Sequence, residues 1–179
     1  QQGKIRFALT TPLRSGNAIA EHVNRHGDGV RVIALWVDDA RRAWRETTNR
    51  GAVSVAQPYV LADEYGQVVM SSIHTYGDTI HTFVERGKYS GPFLPGFIEQ
   101  KVEGDSVGIM LVDHIVGNVE LGKMNYWCDF YRDVMGFHRY ITFDDKDIST
   151  EYSALMSIVM SDGQHNIKFP INEPAEGKG

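Results

Sequence analysis

The chemistry most easily built from this chain centres on one histidine. The stretch Val112-Asp113-His114-Ile115-Val116-Gly117-Asn118-Val119 places an imidazole near the start of an apolar run. Strand alternation would put His114, Val116 and Asn118 on one face. A histidine in that setting is either a metal ligand or a hydrogen-bonded core residue, and its two ring nitrogens serve either use. The residues alone leave both open.

The elements that must position His114 are legible around it. After the run comes a helical pattern, with Met124, Trp127, Cys128, Tyr131, Val134 and Met135 spaced by three and four, and Gly136 where a left-handed cap is expected. Three strand-like runs follow, at residues 137–144, 152–160 and 165–172, divided by the turns Asp145-Lys146-Asp147 and Ser161-Asp162-Gly163. Together they predict one βαβββ unit with His114 on its first strand.

The earlier part of the chain reads the same way. Residues 4–11 read as a strand with Ile5, Phe7 and Leu9 on one face, ended by Thr11-Pro12, and residues 17–26 as a short helix before the turn Gly27-Asp28-Gly29. A strand at 30–37 then leads through Asp38-Asp39, as helix caps, into Ala40, Ala43, Trp44 and Thr47, closed by Gly51. Strand-like runs at 52–60, 68–76 and 79–86 complete a second βαβββ order. An internal repeat is therefore expected, pairing Val30 with Val112, Gly51 with Gly136 and Ile80 with Ile167. It sets Val32 opposite His114 and Glu85 opposite Asn172, so the earlier copy lacks the imidazole and reads as structural. The segment 87–97, with Pro92 and Pro95, and the following 99–106 read as a connector.

Composition sets bounds on function. The chain has 179 residues, 42% hydrophobic and 11% aromatic, enough to bury a sizeable core. Its net charge of -5, without a Lys/Arg-rich run, argues against nucleic acid as a partner. The single Cys128 cannot form an internal disulfide and points to a reducing cytoplasm rather than export. No apolar run approaches the ~20 residues of a membrane span, so no membrane partner is expected.

Several segments in order carry a family resemblance. Residues 112–122, then Met124-Asn125-Tyr126-Trp127-Cys128-Asp129-Phe130-Tyr131, then Glu151-Tyr152-Ser153-Ala154-Leu155-Met156-Ser157, then Lys168-Phe169-Pro170-Ile171-Asn172-Glu173-Pro174 closely resemble the 4-hydroxyphenylpyruvate dioxygenase family. Tyr89-Ser90-Gly91-Pro92-Phe93-Leu94-Pro95-Gly96, Gly27-Asp28-Gly29 and Arg50-Gly51-Ala52 are similar to it as well. The resemblance implies an α+β fold of the vicinal oxygen chelate type, in which repeated βαβββ units form mixed, curved sheets. It divides the chain into 1–28, the last strand of a preceding unit plus connector; 29–100, the second unit of a structural N-terminal domain; 101–110, a linker; and 111–179, the first unit of a catalytic C-terminal domain.

The resemblance also implies chemistry. In that family the histidine of the Asp-His dipeptide is the first of three ligands to Fe(II), which makes His114 the metal ligand here. By motif, Val116 lines the pocket, and Ser153, Pro170 and Asn172 contact or position substrate. Ser153 and Asn172 offer hydrogen bonds to a phenol or keto group. Plainer readings stand beside these: Ser153 tolerated on a strand face, Pro170 marking an edge or bulge, and Asn172 forming a turn before Glu173-Pro174.

The family has four units, and its second histidine and glutamate ligands lie in a unit beyond those matched here. His22, His26, His74, His81, His138 and His165 stand in no matching motif and read as surface or core residues. The implied activity uses a small 2-oxo acid and O2 to give homogentisate and CO2 in tyrosine and phenylalanine catabolism, in a homodimer or homotetramer. The alternatives are 4-hydroxymandelate synthase, which uses the same triad, and a metal-free binding module of the same fold. Gln1 is not an initiator residue, and the native polypeptide is expected to be much longer than this chain, which alone is expected to be inactive.

Overall fold

The second helix of the chain illustrates how each unit is wired. In the computed structural model, which describes residues 3, 5–100, 104–105, 107–143 and 155–174, α2 runs Ala40–Asn49. Asp39 caps it: its Oδ1 accepts from Arg42 N at 2.8 Å, and its carbonyl accepts from Ala43 N at 3.0 Å. A carboxylate from far along the chain, Glu85 Oε2, takes the Ala40 N–H at 3.1 Å. Gly51, at φ 104, turns the chain out of the helix.

Around α2 lie β1 (Val32–Trp36), β2 (Ser54–Asp63), β3 (Gly66–His74) and β4 (Ile80–Glu85). They form a four-stranded sheet ordered β1-β4-β3-β2, with β1 parallel to β4 and the other pairs antiparallel. Val68, Val69, Ile73, Phe83 and Ile33 are buried, as is Ser71, whose hydroxyl donates to the Ala40 carbonyl at 2.9 Å. The first helix, α1 (Ala18–His26), is capped by Asn17, whose side chain accepts from Ile19 N and Ala20 N. Its end is held through Asp78, which bonds Arg25 at 2.7 Å and His26 at 2.8 Å.

The later part repeats the plan. After β5 (Gly117–Asn118) come α3 (Met124–Asp133), β6 (His138–Phe143), β7 (Leu155–Ser161) and β8 (Lys168–Pro174), with sheet order β5-β8-β7-β6 and β5 parallel to β8. The buried face of α3, formed by Met124, Cys128 and Tyr131, meets Phe169 and Ile171 of β8. The Tyr131 and Phe169 rings lie 5.2 Å apart, and Phe137 stacks on Phe169 at 5.8 Å. The chain clusters into two compact units, residues 1–48 with 52–111 and residues 49–51 with 112–179. Among the described residues no helix is long and apolar enough to cross a membrane.

Five expectations change. Of the strand expected at 4–11, the described residues 5–11 form none: Ile5 makes an isolated bridge and is buried, while Phe7 and Leu9 are 79% and 99% exposed. Alternation alone does not hold an extended segment without a neighbouring ladder. The run 112–119 pairs only at Gly117–Asn118. Pro170 explains this. The Lys168 and Asn172 carbonyls accept from Ile115 N and Val119 N at 3.1 and 2.8 Å, so these residues of β8 face β5. Pro170 lies between them and has no N–H to give in that direction. It therefore sits inside a central strand rather than at an edge or bulge.

The first part of the connector, 87–97, is also folded. Tyr89 is buried, bridges Gly66 and donates its hydroxyl to Asp63 Oδ2 at 3.0 Å, while Ser90 N donates to Tyr65 O at 3.1 Å. Finally, the repeat register moves by one near its end. Glu173 Oε2 accepts the Met124 N–H at 3.0 Å, the task of Glu85 at α2, so Glu85 corresponds to Glu173 and Val84 to Asn172. The strand pairs Val32↔Ile80 and Gly117↔Ile171 keep Val32 opposite His114 and move Ile80 opposite Lys168. The turn expected at 145–147 lies outside the described residues.

Candidate metal and substrate site

The two faces of the second sheet differ in character. Phe169, Ile171 and Glu173 are buried on the α3 side of β8, so Lys168, Pro170 and Asn172 belong to the opposite face. Register brings partners to them. Asn172 pairs with Asn118 on one side and with Ser157 on the other, and Pro170 pairs with Val159. Carrying the β5 register back sets Val116 beside Pro170 and His114 beside Lys168. His114, Val116, Pro170 and Asn172 thus share one face; alternation alone groups only His114, Val116 and Asn118, and the β5–β8 register adds the residues of β8. Ser153 lies outside the described residues.

His114 is oriented by its chain neighbour. Asp113 Oδ2 lies 2.8 Å from His114 Nδ1, and Asp113 Oδ1 accepts from Lys168 Nζ at 2.8 Å. A carboxylate held below its ordinary pKa, first by the Lys168 hydrogen bond and then by that of His114, can only accept. Nδ1 therefore holds a proton, and in the neutral imidazole that leaves the lone pair on Nε2. The imidazole side chain is about half exposed, at 51%, so Nε2 is not committed to the core. This is the arrangement in which a metal-ligating histidine gives its second nitrogen to a carboxylate.

Asn172 supplies a second feature. Its Oδ1 is buried and has no hydrogen-bond partner among the described residues. A buried amide oxygen left unpaired costs free energy that an incoming O–H or N–H donor recovers. Ser157, buried and paired across from Asn172, extends the polar strip.

These residues fit one corner of a metal centre and part of a polar pocket. Among the described residues no cluster of three or more His, Cys, Asp or Glu side chains is placed to hold an ion. Cys128 is no rival donor: it lies on the buried face of α3, and burial pushes its thiol up to about 11. His81 is wholly buried, with Nδ1 3.3 Å from the Ile33 carbonyl, and His26 pairs with Asp78. His138 and His165 lie against each other with ring centroids 5.2 Å apart.

Sequence reasoning missed Asp113, Lys168 and Ser157. Ser153 stands out by motif, and the same motif contains Ser157; the Asp-His dipeptide held Asp113, but Lys168 required the β5–β8 register.

No protein-family model matches the chain. Comparison with known proteins gives a consistent result. The sequence is 41% identical over 187 residues to a 4-hydroxyphenylpyruvate dioxygenase of Yarrowia lipolytica, covering 98% of this chain and 48% of that protein. It is 44% identical over 185 residues to the enzyme of that name from Dictyostelium discoideum, covering 98% and 50%. Among solved structures, a triple mutant of 4-hydroxymandelate synthase from Streptomyces coelicolor superposes with a TM-score of 0.74 at 22% identity, over 93% of this chain and 47% of that one. The fold is thus the α+β, vicinal oxygen chelate type. The resemblance first carried by separate motifs runs along nearly the whole chain, which spans about half the length of the relatives it matches.

Proposed function

We propose that this chain is the middle of a 4-hydroxyphenylpyruvate dioxygenase, with a non-catalytic βαβββ unit up to residue 100 and the first catalytic unit from residue 111. The observation that carries the reading is the Lys168–Asp113–His114 relay, which frees Nε2 of His114 on the face that also holds the unpaired Oδ1 of Asn172.

Fe(II), when bound by His114 with a second histidine and a glutamate from a further unit, supplies the dioxygen chemistry that converts 4-hydroxyphenylpyruvate to homogentisate and CO2. The residues of this chain do the rest. Asp113 fixes the imidazole tautomer, and Lys168 fixes Asp113. Asn172 Oδ1 accepts the substrate hydroxyl, Val116 and Pro170 form an apolar wall, and Ser153 adds a second polar contact. Placement in tyrosine and phenylalanine catabolism, a cytoplasmic location and a homodimeric or homotetrameric assembly belong to the same reading.

One imidazole gives a single metal bond, so the isolated chain should bind iron weakly and show no turnover. The test is product analysis on the full-length protein with 4-hydroxyphenylpyruvate and O2. Homogentisate, lost in His114→Ala with the fold intact, is the expected result. A 4-hydroxymandelate product would assign the sibling reaction, and absence of iron-dependent turnover would defeat both in favour of a metal-free module.

A further inference from the structure

In the first unit, the face corresponding to that of His114 carries arginine. Val84 pairs with Trp36, and Arg86, two residues on, falls on the same side. The Arg86 guanidinium lies 5.8 Å from the Trp36 ring centroid and 5.4 Å from that of Tyr89, and Arg6 lies 6.0 Å from Trp36. Both arginines line a cleft of about 740 Å³, with Tyr65, Pro92 and Phe97 among its walls. That volume suits a small organic ligand.

Arg86 is only 9% exposed, yet most of its donors are unused among the described residues. One terminal nitrogen donates to the Gly91 carbonyl at 3.1 Å, while the buried Nε–H has no acceptor among the described residues. Burial, and then the charge of Arg6, lower its pKa, as expected for a cation set among aromatic rings beside another cation. The carboxylates of the cleft do not answer it. Asp63 accepts from Tyr89, Gly96 and Tyr65, and among the described residues neither Glu64 nor Glu99 pairs with Arg86. A buried guanidinium that keeps an idle N–H edge is the complement of a carboxylate.

We infer that this cleft binds a small aromatic carboxylate, its anionic end on the Arg86 fork and its ring against Tyr65, Pro92 and Phe97. The inference rests on first-unit residues and is independent of the dioxygenase reading.

Benzoate is the probe, with benzamide as its neutral isostere, each titrated calorimetrically into the full-length protein. Benzoate should bind saturably and at least about tenfold more tightly than benzamide. Arg86→Lys, which keeps the charge and loses the fork, and Arg86→Gln should each weaken it by at least about tenfold, and His114→Ala should leave it unchanged. Thermal melts establish that each variant is folded, and Arg86→Lys decides the matter where Arg86→Gln is not. Three results would overturn the inference: no saturable benzoate binding, as when another carboxylate of the polypeptide fills the fork; binding that survives Arg86→Lys; or binding abolished by His114→Ala.

Discussion

Glu173 and Met124, 49 residues apart in sequence, meet where the Glu173 carboxylate takes the first N–H of α3 at 3.0 Å. The residue before that helix, Lys123, makes no side-chain cap, so the orphan donor is satisfied from β8 instead. Glu173→Ala should therefore cost ~1–3 kcal/mol, because it strands a buried N–H, whereas Glu173→Gln, which keeps an acceptor, should cost less. Urea unfolding of the two variants side by side checks the order; equal losses would show that the carboxylate acts through bulk alone.

Asp113 is expected to govern metal affinity without touching the metal. Asp113→Asn keeps an acceptor for the Nδ1–H but gives up the charge that Lys168 and His114 share. Iron(II) affinity of the full-length protein should fall on the order of 10–100-fold, with little change in thermal midpoint. An unaltered titration would remove Asp113 from the site.

Asn172 makes a prediction about substrate. Its Oδ1 bonds nothing within the described fold, so Asn172→Ala should leave stability nearly unchanged. Losing a hydrogen bond to the substrate should lower kcat/KM by roughly 10–100-fold. A large fall in stability with unchanged kinetics would make Asn172 a structural residue.

His81 predicts how stability depends on pH. Burial holds its pKa at about 4, against 6.5 for an accessible imidazole. Above pH 6.5 the ring is neutral in both folded and unfolded chains and contributes no pH dependence. As pH falls from 6.5 towards 4, the unfolded chain takes up a proton that the folded one refuses, so stability drops by up to ~1.4 kcal/mol per pH unit. Between pH 6.5 and 5 the loss from this residue is on the order of 2 kcal/mol. In His81→Asn that part of the slope should vanish, measured as denaturant stability at the two pH values. An identical slope would place the acid sensitivity elsewhere.

What could be read from sequence, and what could not, divides along local and non-local physics. The helices of both units and the strands β3, β4 and β6 to β8 follow from periodicity and punctuation, because Asn17, Asp39, Gly51 and Gly136 act on their immediate neighbours. Alternation groups His114, Val116 and Asn118 on one face, but that Pro170 and Asn172 join them depends on the β5–β8 register. The two-residue length of β5 was not legible, since it depends on which way Pro170 points in a ladder with a distant strand. The same holds for the carboxylates at α2 and α3, which arrive from 45 and 49 residues away. Residues 4–11 had the pattern of a strand without the partner that makes one.

The sheet of the first unit ends in β2, ten residues whose outer edge carries no strand among those described. A long, straight edge of that kind invites a second molecule to add itself by main-chain hydrogen bonding. β2 is not straight. Its register slips between Ser54 and Ala56 and again between Ala56 and Tyr59, and Pro58 withholds an N–H within the second slip. The irregularities confine the regular edge to Tyr59–Asp63, about half the strand, which shortens what a neighbouring molecule could extend.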